Sequence, residues 1–145
     1  MIILRLLPAQ IMQLWAPIKA CIQASLPPHV ANSVEGLVYI QEQLLLGSIQ
    51  CWLGREENSN TPCIVATTQI VHDSVSNVRN LLIYTVTTVA SHSQTMWAEA
   101  LQTMRDFAHS NQCANIIAYS NQPDALAVIE SLGGDISWRL ITIVL

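Results

Sequence analysis

The chain has 145 residues, 51 % of them apolar and 11 % charged, with a formal net charge of −4. An apolar share of that size excludes a disordered chain, and 6 Lys and Arg against 10 Asp and Glu, with no basic block, argues against nucleic-acid binding, which needs cations to neutralise phosphates. The charged share is well under the about 25 % usual for soluble proteins, so Ser, Thr, Gln and Asn must supply the polar surface.

The length suits one domain over residues 1–145, large enough for a core without staples. The chain opens with MIILRLLPAQIMQLW. Arg5 interrupts the apolar run and Gln10 and Gln13 follow it, so the segment reads as a first strand, Met1 to Leu7, stopped by Pro8, and not as a signal peptide. No apolar run approaches the about 18 residues of a membrane span. Pro8 to Leu26 follows with Ile11, Leu14, Trp15, Ile18 and Ile22 at helical spacing, and Pro17 is expected to kink or split that helix. A second helix is capped by Asn32, with Glu35 three residues on as in a capping box. It carries Val34, Leu37, Val38, Leu44 and Leu45 on one face and stops at Gly47.

Three strands are expected next, Ile49 to Leu53, Cys63 to Val71 and Asn80 to Val89, rich in β-branched residues and joined by polar turns at Arg55 to Thr61 and His72 to Asn77. Their proximity predicts an antiparallel meander. A helix from Gln94 to Ser110 shows an unbroken stripe of Trp97, Ala100, Leu101, Met104, Phe107 and Ala108. Cys113 to Tyr119 is apolar without helical period, the pattern of a parallel strand covered on both faces. Asn121 and Pro123 open a last helix whose buried face is Ala125, Leu126, Ile129 and Leu132, closed by Gly133 and Gly134. Ile136 to Leu145 is expected as a final strand. The order βαα-βββ-α-β-α-β makes an α+β domain on a mixed sheet with a right-handed parallel crossover in its second half.

Cys21, Cys51, Cys63 and Cys113 contain no CxxC pair, so zinc is not supported. Reduced, mostly buried thiols are expected, in a reducing compartment such as the cytoplasm. His72 beside Asp73 reads as a turn, and His29 and His109 have no partner at ligand spacing. Glu99, Arg105 and the Glu56-Glu57 pair are expected in solvent, and no carboxylate pair suits acid–base work. Trp15, Trp52, Trp97 and Trp138 come from four elements; core packing is the default, with one or two as exposed anchors.

The element order, with FAHSNQCANIIAYSN (Phe107 to Asn121) and the Asn121, Ala125, Ile129, Gly133 series within SNQPDALAVIESLGG, resembles the GNAT superfamily of acyl-CoA-dependent N-acyltransferases. The likeness is best from Asn80 to Gly134. It implies that the Asn80 and Cys113 strands splay to admit an acyl group, and that the stretch TTVASHSQTMWAEAL, Thr87 to Leu101, faces the cofactor pyrophosphate. That stretch lacks the family's glycines and any Arg or Lys, and Ile129 stands where many members carry a tyrosine that protonates the leaving thiolate. Small phage proteins with GNAT-like folds show a similar early LW, central CW and late W-x-x-x-L, here Leu14-Trp15, Cys51-Trp52 and Trp97 to Leu101.

Two functional readings follow, with an unrelated α+β domain as a third. One is a non-catalytic GNAT-like module without cofactor, a phage virion or assembly component made in the host cytoplasm and packed against other virion proteins or itself. The alternative is a divergent acyltransferase using acetyl-CoA. Backbone donors around Ser93, Gln94 and Thr95, with Asn121, would then hold the cofactor, and His92, Tyr84 and Tyr119 would supply acid–base chemistry.

Overall fold

The computed structural model describes residues 1–27, 30, 33–89 and 93–145. Among them one sheet of five strands runs in spatial order β1 (Ile2–Arg5), β2 (Ile49–Arg55), β3 (Pro62–Asp73), β4 (Val78–Thr88) and β5 (Asn115–Ala118). The first four pair antiparallel, and β4 and β5 pair parallel. Helices α1 (Pro8–Gln13), α2 (Trp15–Ser25) and α3 (Val34–Leu46) connect β1 to β2; α4 (Gln94–Ser110) crosses from β4 to β5, and α5 (Pro123–Ser131) follows. The mixed sheet, the meander and the bounds of α4 agree with the sequence reading, and the other strands begin and end within two residues of it.

Pro17 does split the first helical segment, but the break falls at Leu14 (φ −104°, ψ 15°), between α1 and α2. A proline ring clashes with the carbonyl four residues before it, so the chain must leave helical geometry near Gln13; Pro17 itself then sits in the first turn of α2, where no amide is needed. Asn32 lies outside the described residues. The cap of α3 is Ser33, whose Oγ accepts from the Gly36 amide at 2.9 Å, and Gly47 closes the helix at φ 82°. The buried face of α3 is Leu37, Ile40 and Leu44, while Val34 and Val38, expected inside, stand in solvent.

Two cores flank the sheet. Ile11, Ile18, Ile22, Leu37 and Leu44 pack against Ile49, Cys51 and Val65 on one face. On the other, Met104 and Ala108 of α4 cover Trp52, Ala66 and Leu81. The fully buried positions of α4 run Met96, Ala100, Met104, Ala108, a strict i, i+4 line, with Trp97, Leu101 and Phe107 half-buried beside it. Hydroxyls hold the centre of the sheet: Thr67 and Thr85 share a 2.7 Å bond, and the Trp52 indole donates to Thr68 Oγ1 at 2.8 Å. Gly54 sits where a Cβ would lie 2.3 Å from Cγ2 of Ile64, a branched and stiff neighbour. Gly54→Ala is therefore expected to destabilise by about 1–3 kcal/mol through overpacking, read as a lower urea midpoint at unchanged slope.

The C-terminal third departs from expectation in three ways. β5 is four residues long, forms the sheet edge and is mostly exposed, because α4 covers the sheet centred on Trp52 and little lies over β5. α5, with Gln122 as its cap, buries none of its residues fully; Ala125, Leu126, Ile129 and Leu132 are half-exposed. Residues 136–145 form no strand and have no ladder partner. The β-branched pattern is present, but a strand exists only through pairing.

Candidate functional site

β4 and β5 pair over only four residues, from Asn80 with Asn115 to Ile83 with Ala118. Asn115 Nδ2 donates to Asn80 Oδ1 at 2.9 Å and ties the closed end. Beyond Ile83, β4 runs on to Thr88 held by β3 alone, so the two parallel strands part. The next residue on each is a tyrosine. Tyr84 and Tyr119 meet edge to face at the fork, with centroids 6.5 Å apart and planes at 75°.

A β-bulge aims Tyr84. Thr67 of β3 faces Thr85 and Thr68 faces Ile83, leaving Tyr84 as the extra residue of β4. Tyr84 is half-buried, and burial, reinforced by Tyr119, raises its phenol above the ordinary tyrosine value. Next to it a cavity of about 220 Å³ is lined by Tyr39, Ile40, Ile49, Gln69, Leu82 and Tyr84, with no carboxylate on its wall. The bulge and the roles of Tyr39 and Gln69 went unseen in the sequence; the run of Val, Thr and Tyr in β4 carries no glycine to mark a bulge.

The start of α4 lies beyond the fork. Ser93 Oγ accepts from the Met96 amide at 3.2 Å. The amides of Gln94 and Thr95, in the first helical turn, have no intrahelical acceptor. A hollow of about 530 Å³ on one side of this turn is lined by Ser93, Thr95, Glu56, Glu57 and Glu99, the last 3.0 Å from the Met1 amino group. Three carboxylates make that hollow unsuited to an anion. His92 lies outside the described residues, as does His29. Asn121 is exposed and accepts from Gln122 Nε2 at 3.2 Å. Ile129 is half-buried against Gly134, whose Cβ position would meet Ile129 Cγ2 at 2.4 Å, so it serves packing.

The remaining candidates resolve into structural roles. All four cysteines are free. Cys51 is buried and its thiol is pushed up to about 12, chiefly by burial, which removes it as a nucleophile. His72 bonds Asn77 across the β3–β4 turn at 3.0 Å. Asp73 accepts from Ser76 Oγ and the Val75 amide, which hold its carboxyl below the usual range. Among the described residues no group of three or more His, Cys, Asp and Glu could hold a metal ion, and no helix is long and apolar enough to cross a membrane.

No family model matches the chain, and no curated protein matches it by sequence. Solved structures do match. A ribosomal-protein-alanine N-acetyltransferase from Brucella melitensis is 14 % identical with a TM-score of 0.69, covering 100 % of both chains. A predicted acetyltransferase from Clostridium acetobutylicum, solved with acetyl-CoA, is 14 % identical at TM-score 0.68, covering 97 % of this chain and 95 % of that one. An acetyltransferase from Trypanosoma brucei is 16 % identical at TM-score 0.68, covering 99 % of each. At such identities the likeness shows the fold, the GNAT fold expected from the element order. The expected virion role and virion partners find no support among these matches.

Proposed function

We propose that the chain is a divergent acyl-CoA-dependent N-acyltransferase centred on the fork between β4 and β5. The observation that carries the reading is the four-residue ladder that ends at two tyrosines, beside a partly open, mostly apolar cavity. The free edge of β4 after Ile83 offers backbone donors and acceptors toward the gap, as one side of a strand must when its neighbour leaves. This suits a chain of amides such as a pantetheine arm. Its phosphates would meet the first-turn amides at the positive end of α4 only from the side away from Glu56, Glu57 and Glu99, and no cationic side chain joins those amides among the described residues.

Acetyl-CoA, when bound, supplies an activated acyl thioester. Tyr84 Oη carries its proton at neutral pH, as any phenol does, and its place at the fork would let it donate that proton to the leaving thiolate. Tyr119, on the opposite strand and more exposed, packs against it and anchors what enters. The cavity walled by Tyr39, Ile40, Ile49, Gln69 and Leu82 would take the acceptor. Its lack of carboxylates favours an amine on an apolar or aromatic body over a polycation.

The test is a thermal-shift titration of the chain with acetyl-CoA and with CoA. Ligand at 100 times its dissociation constant stabilises by about 2.7 kcal/mol, which at this size raises Tm by roughly 5–11 °C. No shift at millimolar acetyl-CoA would overturn the reading and leave a GNAT fold retained as a non-catalytic module.

A further inference from the structure

We propose that Gln69 selects the acceptor, and that the acceptor is a small apolar amine carrying a neutral amide group. The inference rests on the acyltransferase reading of the fork and names the substrate class of its cavity. The sheet supplies Ile49, Gln69, Leu82 and Tyr84 to that cavity, and α3 supplies Tyr39 and Ile40. Ile49, Gln69 and Leu82 stand directly opposite one another on β2, β3 and β4. A glutamine therefore sits between two buried aliphatic side chains on the middle strand of the sheet.

Its amide has nothing of its own chain to bond. Two residues earlier on the same strand, Thr67 satisfies its hydroxyl on Thr85 at 2.7 Å. Gln50, buried on β2, accepts from Thr68 at 2.9 Å and donates to the Gly47 carbonyl at 3.2 Å. The Gln69 side chain makes no hydrogen bond to any described residue, and neither do the hydroxyls of Tyr39 and Tyr84. Three polar groups with free bonding capacity thus meet in a small, mostly apolar space, the usual make-up of a ligand site.

The chemistry of the glutamine narrows the ligand. Its side chain offers an acceptor oxygen and two N–H donors and carries no charge. An amide answers it with both a donor and an acceptor. A carboxylate would leave Oε1 unpaired and would meet no cation on the wall. A second ammonium would leave Nε2 unpaired and would meet no carboxylate. Ile40, Ile49 and Leu82 take the apolar body, and Tyr84 marks the end nearest the fork, where the amine must lie. Strand rise and spacing put the Gln69 and Tyr84 backbones about 8 Å apart, so one small molecule can reach both side chains. The cavity of about 220 Å³ is smaller than the about 300–1,000 Å³ of most ligand pockets, which favours a single amino-acid amide over a longer chain.

Three acceptors on one body test this: phenylalanine amide, phenylalanine and phenethylamine. Isothermal titration of the full chain without acetyl-CoA reads their binding apart from turnover. Phenylalanine amide is expected to bind at least about tenfold more tightly than either of the others, the yield of one or two net hydrogen bonds. The side-chain amide signals of Gln69 in a nitrogen-15 spectrum, assigned by their loss in Gln69→Leu, are expected to move with phenylalanine amide and to stay with phenethylamine. In Gln69→Leu the preference for the amide over phenethylamine is expected to fall below about threefold. Equal binding of phenylalanine amide and phenethylamine by the unaltered chain would overturn the assignment, as would a tenfold preference that persists in a folded Gln69→Leu chain. Phenylalanylglycine amide binding far more tightly than phenylalanine amide would give the cavity to a peptide end and overturn the small acceptor. A failed acetyl-CoA titration would remove the acyltransferase and leave these ratios standing, whereas loss of the ratios would remove Gln69 alone.

Discussion

Trp52→Ala is expected to lower stability by about 3–5 kcal/mol, the range for deleting a large buried aromatic. Trp52 is 6 % exposed on β2 and forms the centre of the core under α4. Its ring meets Phe107 edge to face at 5.0 Å, and Arg5 lies 5.5 Å from the centroid of that same Phe107 ring. Its indole starts a buried chain of hydrogen bonds: Nε1 donates to Thr68 Oγ1, Thr68 donates to Gln50 Oε1 at 2.9 Å, and Gln50 Nε2 donates to the Gly47 carbonyl at 3.2 Å. Truncation opens a cavity between sheet and helix and strips a donor from Thr68, which is fully buried. Trp52→Phe keeps most of the volume and isolates the hydrogen bond, with an expected cost of about 1–2 kcal/mol. Urea unfolding by dichroism measures both. A loss under about 1 kcal/mol for the alanine variant would contradict the packing described, because 3–5 kcal/mol is a large part of a domain's 5–15.

Tyr84→Phe is expected to reduce turnover in acetyl transfer by about 10²–10⁴-fold with little change in KM, the usual yield of a positioned proton donor. Tyr119→Phe is expected to act mainly on KM, since its ring contact with Tyr84 survives loss of the hydroxyl. The pH profile separates the two. A donor works only while protonated, and the Tyr84 phenol is raised, so its contribution persists through neutral pH and falls only above the ordinary tyrosine value of about 10. That alkaline limb is expected to vanish in Tyr84→Phe and to remain in Tyr119→Phe. A Tyr84→Phe enzyme with unaltered turnover would remove Tyr84 from the chemistry while leaving the cofactor titration to judge the broader reading.

What could be read from the residues follows a physical line. Gln94 to Ser110 was legible to the residue because its stripe is uninterrupted, Ser93 caps its start and Asn111 ends it. Pro17 announced a break, though steric reach put the break three residues earlier. The face of α3 was misread because Ile40 was left off it: the buried line is Leu37, Ile40 and Leu44, which turns Val34 and Val38 out to solvent. Of the site, Tyr84 and Tyr119 were visible as neighbours on adjacent strands. The bulge that aims Tyr84 was not, since it arises from the register of β3 against β4, which no local pattern records. The strand expected over residues 136–145 failed for the same reason: composition sets the capacity to pair, and only a partner edge makes it a strand.

The fork also divides the chain by the distance over which its pairings close. β2 to β4 pair between sequence neighbours through short turns. The single parallel ladder joins Asn80 to Asn115, 35 residues apart, and gains four pairs in return. Closing so long a loop for so few bonds makes this a shallow join, like the β1–β2 ladder at the far edge, which also gains four pairs over a loop of similar or greater length. The strands that flank the gap can thus part and rejoin while the meander stays closed, so the fork can breathe without unfolding the domain.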